Sequence, residues 1–366
     1  MKNEYKRLGD YIRQIDVRNR DLSVQNLLGL SIAKQFVPSI ANTIGTDMAN
    51  YKIVRPHQFG YVPVTSRNGD KITVALYEGH EPCIISQAYI VFEVQDTKEL
   101  LPEYLMMWFR RPEFDRYARF KSHGSAREVF EWEEMCEVML PVPPIEEQRR
   151  IVAEYQAMER RIENNRRLIA TLEDVAQTIY RKMFVDNIAP NNLPKGWRMG
   201  TIGEFCNIFT GKKDVNQSLQ KGKYPFFSCA PIPSFSNEFI GRGPAILIAG
   251  NGSYTGRIGF YDQEFDLYQR TYACENFANA SLSVYFLYFV LKSLFEPKYL
   301  GGSRGTSIPY IVKGDIADFS FCYNLNEVVK FEPLAKQVLI LSILKDAENS
   351  TLTNTLTLLL SKLSNI

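Results

Sequence analysis

Six cysteines (Cys83, Cys136, Cys206, Cys229, Cys274 and Cys322) are scattered through 366 residues with no CxxC pair. That spacing excludes a disulfide framework and a zinc ribbon, and the thiols read as reduced core residues of a cytoplasmic protein. Only three histidines are present, none spaced as a ligand pair, so no metal site is assigned. Positive charge is scarce in net terms: 43 Lys and Arg face 41 Asp and Glu. Residues 1–144 hold 18 basic against 19 acidic side chains, and residues 189–325 hold 13 against 10. No bulk field draws in a polyanion, so any nucleic-acid affinity has to come from local clusters or partner subunits. No basic start leads into an apolar core, which argues against a signal peptide. The longest apolar run, Val284 to Leu291, is far too short to span a bilayer and reads as a buried helix.

Catalytic signatures are missing as well. There is no GxSxG, no HExxH and no Asn/Asp-Pro-Pro-Tyr/Phe run of the amino-methyltransferase kind. Gly250-Asn251-Gly252-Ser253-Tyr254-Thr255-Gly256-Arg257 lacks the GK[ST] ending of a phosphate loop and reads as an Asn-Gly hairpin turn. Two Glu-x-Lys pairs, Glu4/Lys6 and Glu296/Lys298, are of a kind common by chance. No residue is assigned a catalytic role.

What the chain does have is a repeat. Ile151, Tyr155, Met158, Ile162, Asn165, Ile169, Leu172, Ala176, Ile179 and Met183 alternate gaps of four and three without a slip. A shift of 180 gives Phe331, Ala335, Val338, Ser342, Lys345, Asn349, Leu352, Leu356, Leu359 and Leu363 at identical spacing. A stripe of this period needs a partner helix to bury it, and the two stripes are each other's obvious partners. Both place polar residues mid-stripe, so if the helices run antiparallel their centres meet; the shared frame motivates the expectation of an antiparallel pair with Asn165 and Lys345 near its centre. The all-round apolar Leu358-Leu359-Leu360 predicts contact with more than one helix there. The globular parts repeat more faintly. Tyr104 to Phe109 lies 181 positions before Tyr285 to Val290, Ser122 to Ala126 lies 181 before Ser303 to Ser307, and Leu8-Gly9-Asp10-Tyr11 resembles Ile202-Gly203-Glu204-Phe205.

The expected class is therefore α+β: two similar strand-rich units and two long helices forming an antiparallel coiled coil. The segments are 1–143, a central helix unit 144–188, 189–325, and a final helix 326–366. Tyr61 to Val64, Lys71 to Tyr77 and Ile84 to Val94 read as strands, and Glu103 to Phe109 and Glu113 to Phe120 as short helices behind prolines. Pro141-Val142-Pro143-Pro144 ends the first unit, and Glu146 and Glu147 favour the first turn of the helix that follows.

Donors beside glycines mark candidate contact loops. In the first unit these are Arg13, Arg18 and Arg20, then Arg67 and Asn68, then His123, Ser125 and Arg127. In the second they are Lys212, Lys213, Asn251, Tyr254, Arg257, Arg304 and Thr306. Glycine lets backbone approach a phosphate, and Arg or Asn reads base edges. Each set is expected on one face of its unit, as a double-stranded DNA surface. Solvated surface loops are the plainer reading of the same residues.

Three stretches resemble a known family. They are Leu140-Pro141-Val142-Pro143-Pro144-Ile145-Glu146-Glu147-Gln148-Arg149-Arg150-Ile151 with the helix behind it, Leu193-Pro194-Lys195-Gly196-Trp197-Arg198, and Ile85-Ser86-Gln87-Ala88-Tyr89-Ile90-Val91-Phe92. The chain resembles the specificity subunit of type I restriction–modification systems along essentially its whole length. The resemblance implies target recognition domains that each read half of a split DNA site, and helices that hold them apart. It also implies two methylation subunits using S-adenosylmethionine, and two restriction subunits using ATP and Mg2+, with no cofactor on this chain and no membrane. The second copy departs from the pattern: Asn324-Leu325-Asn326-Glu327-Val328-Val329-Lys330-Phe331 has lost the prolines and the glutamine. The alternatives are a stand-alone DNA endonuclease and a coiled-coil protein-interaction adaptor.

Overall fold

The computed structural model describes residues 5–39, 45–66, 71–123, 128–300 and 309–365. It forms two compact units, Met1–Ile162 with Ser350–Ile366, and Glu163–Asn349. Each unit has a four-stranded antiparallel sheet of the same topology. In the first, the spatial order is Ile12–Ile15, Ile90–Val94, Phe59–Val62, Thr73–Leu76; in the second it is Cys206–Thr210, Thr271–Asn276, Ala245–Ala249, Ile258–Tyr261. The run from Ile84 to Val94, expected as one strand, is two: Cys83–Ile85 and Ile90–Val94, parted by a turn in which Tyr89 N bonds Ser86 O. The second unit adds a sheet of Ser234–Ser236, Tyr224–Phe227, Glu264–Leu267 and Gly241–Arg242.

Each unit is closed by a ribbon that joins its first strand to its last. Tyr5–Arg7 pairs with Met139–Pro141, and Arg198–Thr201 with Ser320–Tyr323. A tight turn follows the first strand in both copies, and its glycine has a steric cause. A Cβ on Gly9 would lie 2.9 Å from Cys136 Cβ, and one on Gly203 would lie 3.1 Å from Ala317 O. Cys136 and Ala317 are themselves 181 positions apart, so the same close approach is repeated.

Two helices carry the stripes. The central helix runs Ile145–Phe184 and the final helix Leu325–Lys362, followed by a 3-10 turn to Asn365. All ten stripe positions on each are buried or half-buried. In the first unit Ile151, Val152, Tyr155 and Ile162 share a core with Leu356, Leu360 and Leu363, together with Tyr104, Phe109 and Leu140 of the globular part. In the second, Ala176, Tyr180 and Phe184 share a core with Val328, Phe331, Ala335 and Val338. Phe331 lies 5.9 Å from both Tyr180 and Phe184, ring centre to ring centre. Asn165 Nδ2 donates to Asn349 Oδ1 at 3.0 Å, so the helices pair antiparallel in this unit. The last turns do meet more than a helix: Tyr5 Oη donates to Ser364 O at 2.9 Å, and Leu360 enters the first core, while Leu358 stays 61% exposed.

Asn165 therefore meets Asn349, about one helical turn from Lys345. An ammonium cannot lose its water without a partner, so Lys345 keeps only its stem in the seam and its head bonds Glu348 at 2.8 Å. Ser342, also on the stripe, satisfies its hydroxyl on Val338 O at 2.9 Å.

The lost glutamine of the second copy has a physical counterpart. In the first copy Gln148 is fully buried: its Oε1 accepts from Leu101 N, and its Nε2 donates to Glu99 O and Pro143 O, pinning the entry to the helix Pro102–Phe109. The position 180 later is Val328, buried among apolar side chains. Asn276 takes over the pinning in the second unit. It donates to Phe205 O and Leu282 O and accepts from Val284 N, the start of the matching helix Val284–Val290. Among the described residues, no helix is long and apolar enough to cross a membrane.

The Asn165–Asn349 bond yields a stability prediction. Asn165→Ala removes the buried donor and should lower unfolding stability by about 1–3 kcal/mol. Replacing both asparagines by leucine should recover the loss, since a buried polar pair is commonly matched by an apolar one. Denaturant midpoints of the parent and both variants decide it; an Asn165→Ala protein as stable as the parent removes the bond from any role in the seam.

Candidate nucleic-acid interface

In the second unit, strand register brings three segments to one end of the sheet. Thr210 lies opposite Tyr272, Ala249 opposite Thr271 and Ile248 opposite Ile258. Gly211–Asp214, Gly250–Arg257 and the turn Tyr268–Arg270 therefore emerge together. Backbone bonds lock them: Gln269 N donates to Lys213 O at 2.9 Å, and Gly250 N to Arg270 O at 2.8 Å. The Asn-Gly pair is not a two-residue hairpin turn. Asn251 is extended, Gly252 takes φ +78° and begins a 3-10 turn to Tyr254, and the loop holds eight residues. A left-handed residue followed by a 3-10 turn widens the connection beyond what a two-residue turn allows, and exposes Ser253 and Tyr254. Ile311 N and Gly252 N bond Gly250 O and Pro309 O, which sets the 309–311 segment alongside.

Of the residues read as contacts, Lys212, Asn251, Tyr254 and Arg257 share this end. Lys212 is exposed. Tyr254 is 45% exposed, and the Arg257 guanidinium lies 5.6 Å from its ring centre. Arg257 also donates to Ala230 O at 2.7 Å, and burial pushes its pKa below the usual arginine value. Lys213 sits there too but is engaged: its ammonium bonds Asp266 at 2.7 Å, Ser236 Oγ at 3.0 Å and Glu238 at 2.8 Å. Burial works against that charge, but the hydrogen bonds it donates to Asp266 and Glu238 outweigh burial and hold the pKa above the usual lysine value. Three partners use all three ammonium protons, which leaves none for a phosphate.

The first unit repeats the arrangement. Ile15 lies opposite Val91, Tyr61 opposite Ile90 and Val62 opposite Thr73, so the segments after Ile15 and Val62 leave the matching end of the matching sheet. Arg18 and Arg20 lie on the first of these. Arg18 bonds Asn50 O at 2.9 Å and Asp16 at 2.8 Å, and Arg20 bonds Asn50 Oδ1 at 2.7 Å. The hydrogen bond from Arg18 holds the Asp16 pKa below the usual carboxylate range. His123 is exposed and exchanges backbone bonds with Val129, which also bridges Val64. That bridge matches Asn251 with Tyr310 in the second unit, since Val129 and Tyr310 lie 181 apart. Arg13 belongs elsewhere. It sits within its strand, opposite Glu93, and its guanidinium bonds that carboxylate at 2.9 Å across the sheet face. Arg67, Asn68, Ser125, Arg127, Arg304 and Thr306 lie outside the described residues.

Two participants carried no signal in the sequence. Cys229 is 22 residues from the loop it supports, and its Sγ donates to Asn251 Oδ1 at 3.0 Å. Arg270 supplies the carbonyl to which Gly250 N donates, and Cys229 Sγ lies 3.4 Å from the same oxygen. Among the described residues, no three His, Cys, Asp or Glu side chains are grouped so as to hold a metal ion.

The chain is similar to known proteins. Residues 40–174 and 194–361 match the family model of the type I restriction modification DNA specificity domain. Over 133 residues the chain is 39% identical to the type I restriction enzyme EcoDI specificity subunit of Escherichia coli, covering 36% of this chain and 29% of that protein. Over 249 residues it is 20% identical to the type I restriction enzyme MjaIX specificity subunit of Methanocaldococcus jannaschii, covering 59% of this chain and 57% of that protein. The matches thus span less than two thirds of the length of either relative. The crystal structure of the type I restriction–modification system S subunit from M. genitalium has the same fold, with a TM-score of 0.64 at 17% identity over 98% of this chain and 95% of that one. The family match takes in both strand-rich units and most of both helices, and the chain belongs to the type I restriction modification DNA specificity domain family.

Proposed function

We propose that this chain is the DNA-specificity subunit of a type I restriction–modification complex. The observation that carries this reading is the duplicated loop cluster: equivalent loops leave the same end of equivalent sheets in both units. Two copies of one reading surface suit a target made of two half-sites, each unit reading one half of a bipartite double-stranded DNA sequence. The specificity-subunit names of the two relatives point the same way. On this reading the coiled coil sets the spacing between half-sites. It also scaffolds two methylation subunits, which use S-adenosylmethionine, and two restriction subunits, which use ATP and Mg2+. The chain itself is non-catalytic, carries no cofactor and works in the cytoplasm. Because acids balance the bases around the loops, partner subunits share in holding the DNA, and this chain supplies the choice of sequence.

Replacing residues 197–323 with the corresponding unit of another such chain should change one half of the methylated motif and leave the other intact, as read by modification-sensitive sequencing. A change in both halves would mean that the units do not read independently. One heptad inserted after Thr171, with another after Ile343, keeps both stripes in phase and lengthens the helix pair by roughly 10 Å. The gap between half-sites should widen by about three base pairs, at about 3.4 Å each; an unchanged gap refutes the spacer role. Lys212→Ala should weaken binding of all sequences alike and lower the salt slope by about one. Lys213→Ala should instead lower thermal stability and leave the salt slope unchanged, because its ammonium holds Asp266 and Glu238.

A further inference from the structure

Asn251 is held by a thiol. Cys229 Sγ donates to Asn251 Oδ1 at 3.0 Å, and the same sulfur lies 3.4 Å from Arg270 O and 3.7 Å from Thr271 Oγ1. The turn carrying Cys229 is itself fixed by Arg257, whose Nη2 donates to Ala230 O at 2.7 Å and reaches Cys229 O at 3.4 Å. On the other side, bonds of Gly250 and Gly252 to Ile311 and Pro309 hold the Asn251 backbone. The clamp engages only the oxygen of the carboxamide. Nδ2 has no partner among the described residues, and the half-exposed side chain sits in the loop that presents Ser253 and Tyr254.

A free carboxamide is ambivalent, because it donates from nitrogen, accepts at oxygen, and exchanges the two by turning over. Asparagine with both atoms available pairs bidentately with adenine, accepting from N6 and donating to N7. A thiol hydrogen on Oδ1 biases that choice. It sets the amide one way round and leaves the NH2 group pointing out. We infer that Cys229 is a positioning residue that commits Asn251 to donate toward an acceptor edge of one base in the half-site read by the second unit. Guanine, through O6 or N7, and thymine, through O4, are the bases that fit; bidentate pairing with adenine is disfavoured. The inference rests on the specificity role proposed above.

The test uses the full chain assembled with its methylation subunit and a library of duplexes carrying each base at each position of the second half-site. In the parent, one position should prefer guanine or thymine. Asn251→Ala should reduce that preference about tenfold, in keeping with loss of one base contact. Cys229→Ala should keep binding at that position but raise adenine to within about threefold of the preferred base, since the released oxygen is again an acceptor. Cys229→Ser donates in the same sense and should restore the parental preference, a rescue that a purely packing role does not provide. Melting temperatures of all variants report whether the unit stays folded. The inference is overturned if the Cys229→Ala profile matches the parent, if binding falls evenly over all sequences, or if the parent prefers adenine or cytosine wherever Asn251→Ala acts. It then fails alone, provided the parent still selects a bipartite sequence. A parent complex with no sequence preference at all overturns the specificity reading and this inference together.

Discussion

Burial of the two heptad stripes is the interaction on which both units depend. Ile151, Tyr155 and Ile162 complete the first core with Leu356, Leu360 and Leu363, while Tyr180 and Phe184 complete the second with Phe331 and Val338. Each helix therefore serves two cores along its length, and each core takes side chains from both helices. The first unit cannot form until the last residues of the chain arrive, a long-range closure whose entropic cost falls before its contacts repay it. Within this seam the polar positions set direction. Asn165 and Asn349 satisfy each other only in one register, and a one-heptad slip would separate the two amides.

Duplication preserved geometry more closely than chemistry. The closing ribbon, the glycine turn behind it and the sheet order recur in both units, because each is imposed by backbone packing. Side-chain solutions drifted wherever a different group could do the same work. A buried glutamine anchors the start of one helix and a half-buried asparagine the start of its counterpart, although the two anchors come from different points in their repeats. The loop ends drifted furthest. The Arg18–Asp16–Asn50 group has no residue-for-residue match in the Lys212–Asn251–Tyr254 group, as surface loops vary more freely than the elements they join.

The charges at these loops also explain why composition was silent. Arg13 is neutralised by Glu93, Arg18 by Asp16, and Lys213 by Asp266 and Glu238. These basic residues look available in the sequence but are engaged in holding strands and loops in place.

Periodicity and repetition were legible in the sequence because they are local or translational properties. A stripe spaced four and three is a helix face whatever surrounds it, and an offset of 180 or 181 is visible without coordinates. Both long helices and their mutual pairing followed from that, and the strand-rich class from the β-rich runs between turn residues. What the sequence could not supply was which polar groups meet. Lys345 and Asn349 are equally on the stripe, and only the paired seam, where a charge must reach water and an amide need not, chose Asn349 for Asn165. Lys212 and Lys213 are neighbours of one type, yet the pleat turns one toward solvent and the other onto a buried carboxylate. Cys229 gained its place beside Asn251 only when strand register closed a gap of 22 residues. Local pattern determined the elements, while tertiary packing decided which side chains were used up in building the surface and which remained to read from it. That second outcome depends on distances between residues remote in the chain, which no local pattern encodes.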